Sequence, residues 1–175
     1  MRFSYQTEQW LPYSLEQIFD FFATPDNLAL LMPEWQGARI EEASIVAPPQ
    51  PMHARLVSQP AAAGLGSRLT LSFLPFPHAP FRLRWEAEII EFAWDSYFCD
   101  SQLRGPFPYW KHCHYFRRQN HLGLEGTVIT DDLEYELPFG LAGRLAHGIF
   151  LRRQIERTFA YRQSQLEHIL PAVTT

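Results

Sequence analysis

The segment GPFPYWKHCHYF, residues 105 to 116, sets His112 and His114 two apart between Trp110 and Phe116. Imidazoles at that spacing can ligate a metal, move a proton or anchor the polar end of a ligand, and each use needs different neighbours. In an extended strand, residues two apart share a face. Trp110, His112, His114 and Phe116 therefore point one way, and Lys111, Cys113, Tyr115 and Arg117 the other. Two large aromatics against two cations turn the histidines inward. In the next alternating segment Ile129, Asp131, Leu133, Tyr135 and Leu137 form the apolar row, opposed by Thr130, Asp132, Glu134 and Glu136. Asp131 is the odd member of an inward row, and a tight connection around residues 119 to 126 sets it opposite His114. A carboxylate beside a buried imidazole raises its pKa, whereas burial lowers it. The pair suits general acid/base chemistry or ligand anchoring, and equally a satisfied polar network that fixes the sheet.

Metal sites built on an HxH strand add a carboxylate shortly afterwards and a histidine from another strand. Here Arg118 and Gln119 stand where that carboxylate would be, and His53, His78, His121, His147 and His168 fall in loops or the last helix. Neither a metal nor a cofactor is expected on that ligand count. Cys113 points away from the histidines, which disfavours a Cys/His nucleophile. The chain carries no glycine-rich phosphate loop and no dinucleotide fingerprint.

The elements that would position these residues follow from periodicity. Phe3 to Leu11 alternates as a strand closed by Pro12, and Ser14 with Gln17 makes a capping box before a helix that carries Leu15, Ile18, Phe19 and Phe22 inward. A second short helix, with cap-like Asp26, runs between Pro25 and Pro33. Strands are predicted at Ile40 to Val46, Ser67 to Leu74, around FRLRWEAEIIEF, and at Ser96 to Leu103, Tyr109 to Arg118 and Gly126 to Leu137. The proline-rich stretch 47 to 80 breaks this run, with room for a short edge strand at His53 to Val57. From Leu141 to Leu170 the period becomes helical, on a stripe of Leu141, Leu145, Ile149, Ile155, Phe159, Leu166, Ile169 and Leu170. Arg152, Arg153, Arg157 and Arg162 read as the solvated face of that helix. One long helix covers a bent sheet only partly, so a cavity is expected between them.

At 175 residues, 46% of them hydrophobic, the chain suits one domain over residues 1–175 that needs neither a disulfide nor a structural metal. Its net charge of -4 offers no general attraction to phosphate backbones, so nucleic acid is not an expected partner. Cys99 and Cys113, in neither a CxxC spacing nor a dense framework, fit a reducing compartment. With no apolar run of membrane-spanning length, a soluble cytoplasmic protein without membrane insertion is expected. Protein partners are not legible.

Phe19, Asn27 and Leu28, Trp85 and Ile89, Phe98, Asp100, Gln102, Gly105, Pro106 and Phe107, with Trp110, His112, His114 and Phe116, carry a resemblance that Asp131, Tyr135, Pro138, Phe139, Gly140, Phe159 and Arg162 complete. In this element order the chain resembles the helix-grip superfamily of START domains, pollen-allergen-like proteins and polyketide cyclases (SRPBCC), especially its bacterial ligand-binding members. The resemblance implies an α+β fold, a curved antiparallel sheet of about six to seven strands wrapped around a long C-terminal helix, with two short helices after the first strand. The strand at 96 to 103 could turn either Tyr97, Cys99 and Ser101 or Phe98, Asp100 and Gln102 inward, and the resemblance favours the second set. It further implies a hydrophobic small-molecule ligand (lipid, aromatic or polyketide-like), walled by Trp85, Trp110, Phe116, Leu133, Tyr135 and Phe159. Asp100, Gln102, His112, His114 and Asp131 would hold its polar end. The alternative is a cyclase or dehydratase with His112 or His114 as acid/base, oriented by Asp131 or Asp100.

Overall fold

The computed structural model describes residues 1–50, 62–138 and 147–173. Strand β1 (Arg2–Leu11) leads through Ser14 into helix α1 (Leu15–Ala23). The capping box forms as expected, Ser14 and Gln17 each satisfying the other's backbone amide. α1 buries Leu15, Ile18, Phe19 and Phe21, while Phe22 stays half-buried. The second helix is 3-10 rather than α, over Pro25–Leu31, and its N-cap is Thr24 rather than Asp26. A further 3-10 turn, Glu34–Gln36, ends at Gly37 in the left-handed region.

Six more strands follow: β2 (Arg39–Ser44), β3 (Arg68–Phe73), β4 (Leu83–Ala93), β5 (Tyr97–Arg104), β6 (Tyr109–His121) and β7 (Leu124–Glu136). They form one seven-stranded sheet in the order β1-β7-β6-β5-β4-β3-β2, with every neighbouring pair antiparallel. Register shifts in the β4–β5 pairing at Glu86/Ala87 and Ile89/Glu91 add the local twist that bends a sheet. The β6–β7 hairpin turns on Leu122 and Gly123, both at positive φ, as a two-residue turn between right-twisted strands requires. That turn sets His114 against Asp131, the register expected from the sequence. The expected edge strand at His53 to Val57 lies outside the described residues.

The chain re-enters as a π-helical turn (His147–Leu151) and continues as helix α2 (Arg152–Val173). Of the expected stripe, Ile155, Phe159, Leu166 and Leu170 are buried and Ile169 is partly so. Leu141 and Leu145 lie outside the described residues. No helix among the described residues is long and apolar enough to cross a membrane.

Two expectations fail here. Cys99 and Cys113 face each other across β5 and β6 and are joined in a disulfide. With neither thiol free, a reducing compartment no longer follows from them; the pairing that sets Asp100 opposite His112 also sets the two cysteines together. Arg162 is not on a solvated face: 11% of its side chain is exposed, and it reaches the sheet at Asp131.

The core has two parts. One gathers Leu11, Leu15, Ile18, Phe19, Phe98, Phe116, Ile129, Leu166 and Leu170 under α1 and the end of α2. The other holds Leu133, Tyr135, Ile155 and Phe159, with Phe107 and Trp110 only partly buried against it.

Candidate functional site

The polar cluster sits where these two core groups meet. Asp100 on β5 pairs with His112 on β6, and His114 pairs with Asp131 on β7, so three adjacent strands bring all four side chains to one face. Arg162 reaches the same point from α2.

A single oxygen, Asp131 Oδ1, receives three cationic or N–H groups: His114 Nδ1 at 2.7 Å, His112 Nε2 at 3.2 Å and Arg162 Nη1 at 3.3 Å. Burial pushes the Asp131 carboxyl upward, but the Arg162 charge and the two histidine hydrogen bonds outweigh it and hold the group well below the usual range. Asp131 is a buried anion on which both imidazoles and Arg162 converge.

That anion fixes the tautomers. At 2.7 Å, His114 Nδ1 must carry a hydrogen, because the alternative sets two lone pairs face to face. Arg162 Nη2, 3.2 Å from the same nitrogen, is then an electrostatic neighbour rather than a donor to it. Burial first, then the neighbouring His112 and the Arg162 charge, lowers the His114 pKa to about 3 against the pull of Asp131. His114 is neutral at pH 7, donating through Nδ1 and holding a bare lone pair on Nε2. His112, in its neutral form, donates through Nε2 to Asp131 and turns Nδ1 toward Asp100 Oδ2, 3.9 Å away.

Asp100 differs from Asp131. Its side chain is 26% exposed and it faces His112 at a distance too long for a hydrogen bond. Burial raises its pKa, opposed by His112 and Arg162. Asp100 and Asp131 are thus two carboxyls of one cluster pushed in opposite directions, the first by burial and the second by Arg162 and the imidazole hydrogen bonds. Asp100, His112 and His114 also each offer one ligand atom within 4.8 Å of the others, so the carboxylate absent from the HxH strand arrives from the strand beside it.

The apolar residues divide. Trp85 and Trp110 meet edge to face at 4.7 Å, Phe107 lies 5.0 Å from Trp110, and all three stay half-buried. Tyr135 and Phe159 are buried beside them, Phe159 standing edge-on to His112 at 5.4 Å. Phe116 packs instead against Phe19 and Phe98, and Leu133 is fully buried, so both serve the dry core rather than an open wall. Gln102 is turned to the β5–β6 connection, hydrogen-bonding the Phe107 carbonyl and amide, and holds Phe107 in place rather than reaching the histidines. A cleft of about 280 Å³ lies between helix and sheet, lined by Phe3, Ser4, Tyr5, Tyr135, Arg152 and Ile155. It adjoins the cluster through Tyr5, which packs on Phe159 at 5.0 Å.

Arg162 is the site residue that the sequence reading placed wrongly. Its signal was present: Phe159, Arg162, Leu166 and Leu170 follow the three- and four-residue spacing of one helix face. A cation on an apolar stripe implies a buried anion opposite, and Asp131 was the unmatched anion.

No protein-family model matches the sequence, and no curated protein matches it. Solved structures do. A protein of Thermus thermophilus superposes with a TM-score of 0.66 at 16% identity, covering 98% of this chain and 99% of that one. The major latex-like protein 151 of Panax ginseng gives 0.59 at 9% identity, covering 95% and 96%. Norcoclaurine synthase from Thalictrum flavum, in complex with dopamine and hydroxybenzaldehyde, gives 0.56 at 14% identity, covering 96% and 88%. Likeness at these identities is likeness of fold, and with the seven-stranded antiparallel sheet and its C-terminal helix it establishes that this chain has the helix-grip fold.

Proposed function

We propose that the protein binds a hydrophobic small molecule carrying a polar group, with its apolar body against Trp85, Phe107 and Trp110 and its polar end at Asp100 and His112. The observation that carries this reading is the pair of tryptophans left half-buried on the face that holds a buried, charged His/Asp/Arg cluster. Large aromatics beside a few converging polar groups are the usual make-up of a small-molecule site. The aromatic ligands named with the norcoclaurine synthase structure, dopamine and hydroxybenzaldehyde, have that same make-up and guide the choice of probes.

The test is quenching of intrinsic tryptophan fluorescence by a panel of phenols, aromatic aldehydes and fatty acids. At least one class should saturate, and Trp110→Ala should weaken its binding about tenfold or more while the circular dichroism spectrum stays unchanged. Failure of every class to saturate, or equal affinity in the variant, refutes the reading.

A second reading is favoured by the hydrogen-bonded His112–Asp131–His114 chain beside the partly exposed Asp100. In an acid/base enzyme of cyclase or dehydratase type, His114 Nε2 would take a proton and Asp100 would supply one, with Asp131 and Arg162 as positioning residues. It requires turnover of a bound carbonyl compound that His114→Gln abolishes with affinity preserved.

A further inference from the structure

Asp100, His112 and His114 each offer one ligand atom within 4.8 Å of the others, and each has acceptor capacity that Asp131 does not use. His114 gives its one neutral-form hydrogen to Asp131 through Nδ1, which leaves the Nε2 lone pair free. His112 in its neutral form gives its hydrogen to Asp131 through Nε2, which leaves Nδ1 facing the Asp100 carboxyl at 3.9 Å. Apart from its own backbone amide, Asp100 receives no hydrogen bond among the described residues. Lone pairs gathered in this way repel unless a cation or a bridging donor stands between them.

We propose that Asp100, His112 and His114 form a site for a first-row divalent transition-metal ion, with Asp131 as the shared carboxylate that orients both imidazoles. The three residues can present their ligand atoms within 4.8 Å of one another. Metal to nitrogen or oxygen distances of about 2.0–2.2 Å place bound ligand atoms roughly 3.0–3.5 Å apart, a modest contraction from the separations present. Two imidazoles and one carboxylate suit iron(II), cobalt(II) or zinc and not magnesium or calcium, which prefer all-oxygen shells. Histidine ligands typically give their second N–H to a carboxylate, and here one carboxylate serves both rings. Arg162 balances that carboxylate's charge at 3.3 Å. Three protein ligands would leave positions open for water or for an oxygen of a bound molecule, but the site needs no such molecule to form.

The experiment uses the full chain after chelator dialysis, titrated with cobalt(II) and with zinc in the absence of any organic ligand. Failure here is therefore separate from failure of the small-molecule reading. One equivalent should bind, with visible cobalt bands of nitrogen ligation. Asp100→Asn, whose side chain is partly exposed and makes no hydrogen bond to the histidines, should bind at least tenfold more weakly, and Asp131→Asn roughly 10 to 100-fold. His168→Gln, on the outer face of α2, should bind as the parent does. Absence of saturable binding tighter than about 100 μM, or equal binding by Asp100→Asn and the parent, overturns the proposal.

Discussion

The two ends of the concave face are built from similar residues and finished differently. Under α1 and the C-terminal part of α2, Phe19 is wholly buried and meets Phe92, Trp94, Phe98 and Phe116, all within 6.1 Å. Toward β4 and the β5–β6 turn, Trp85, Phe107 and Trp110 contact one another as closely yet stay half-buried. Aromatic content does not separate the two ends; cover does. Among the described residues, two helical elements close the first, whereas only the start of α2 approaches the second. The ionisable cluster lies on the border, His114 against Phe22 and Phe98 on the closed side and His112 against Phe159 on the other. The closed end supplies stability and the open end accessible aromatic surface.

The largest expected effect breaks this comparison directly if it is wrong. Phe19→Ala removes a fully buried ring and should cost about 3–5 kcal/mol of unfolding free energy, whereas Trp110→Ala at the open end should cost about 1–2. Urea denaturation of the two variants measures both. Equal losses would mean that the open end is as tightly closed as the other.

Next in size is the ion pair at the border. Arg162→Met keeps the apolar stem of the side chain but leaves the Asp131 anion buried with imidazole donors alone. Removing one partner of a buried pair should cost about 3 kcal/mol at pH 7 by the same measurement. A loss below about 0.5 kcal/mol, the usual range for a surface arginine, would return Arg162 to the solvated face that its charge alone suggests.

What the sequence showed of this site depended on strand alternation. The inward face of β6 and the His114 to Asp131 register needed only a period of two and one short turn, and both hold in the structure. Arg162 did not come through, because composition invites a reading of helix arginines as solvated and only the three-dimensional meeting with Asp131 overrides it. The disulfide is hidden for a related reason: spacing alone presents Cys99 and Cys113 as separate thiols, although the register that sets Asp100 opposite His112 also aligns them. Phe116 and Leu133 lie on the inward row as predicted, but alternation tells which face a residue takes and not whether a helix covers it.

The third prediction uses proton linkage to sharpen the border. The folded-state pKa of His114 is lowered to about 3, against about 6.5 in an unfolded chain. The folded state therefore binds fewer protons than the unfolded one between those values, and stability falls as pH falls. The loss from pH 7 to pH 4.5 should be on the order of 2 to 3 kcal/mol, read from urea midpoints across that range. His114→Gln should flatten the profile there. An unchanged profile would mean that the closed side does not exclude water from His114.

The smallest effect is at Asp100 and has the opposite sign, as a residue on the open side should. Its raised folded-state pKa means that the folded state holds a proton the unfolded state has released, so the carboxyl's contribution is present at low pH and declines as pH rises through the folded value. In its ionised form Asp100 is a partly buried carboxylate with no strong partner, and Asp100→Asn should stabilise the metal-free chain by about 1 kcal/mol at pH 7 and by less near pH 4. A residue whose replacement strengthens the fold while weakening metal binding is kept for what it binds. If Asp100→Asn instead destabilises the chain at pH 7, the carboxylate belongs to the structural network of Asp131, and the border between the closed and open ends moves one strand further out.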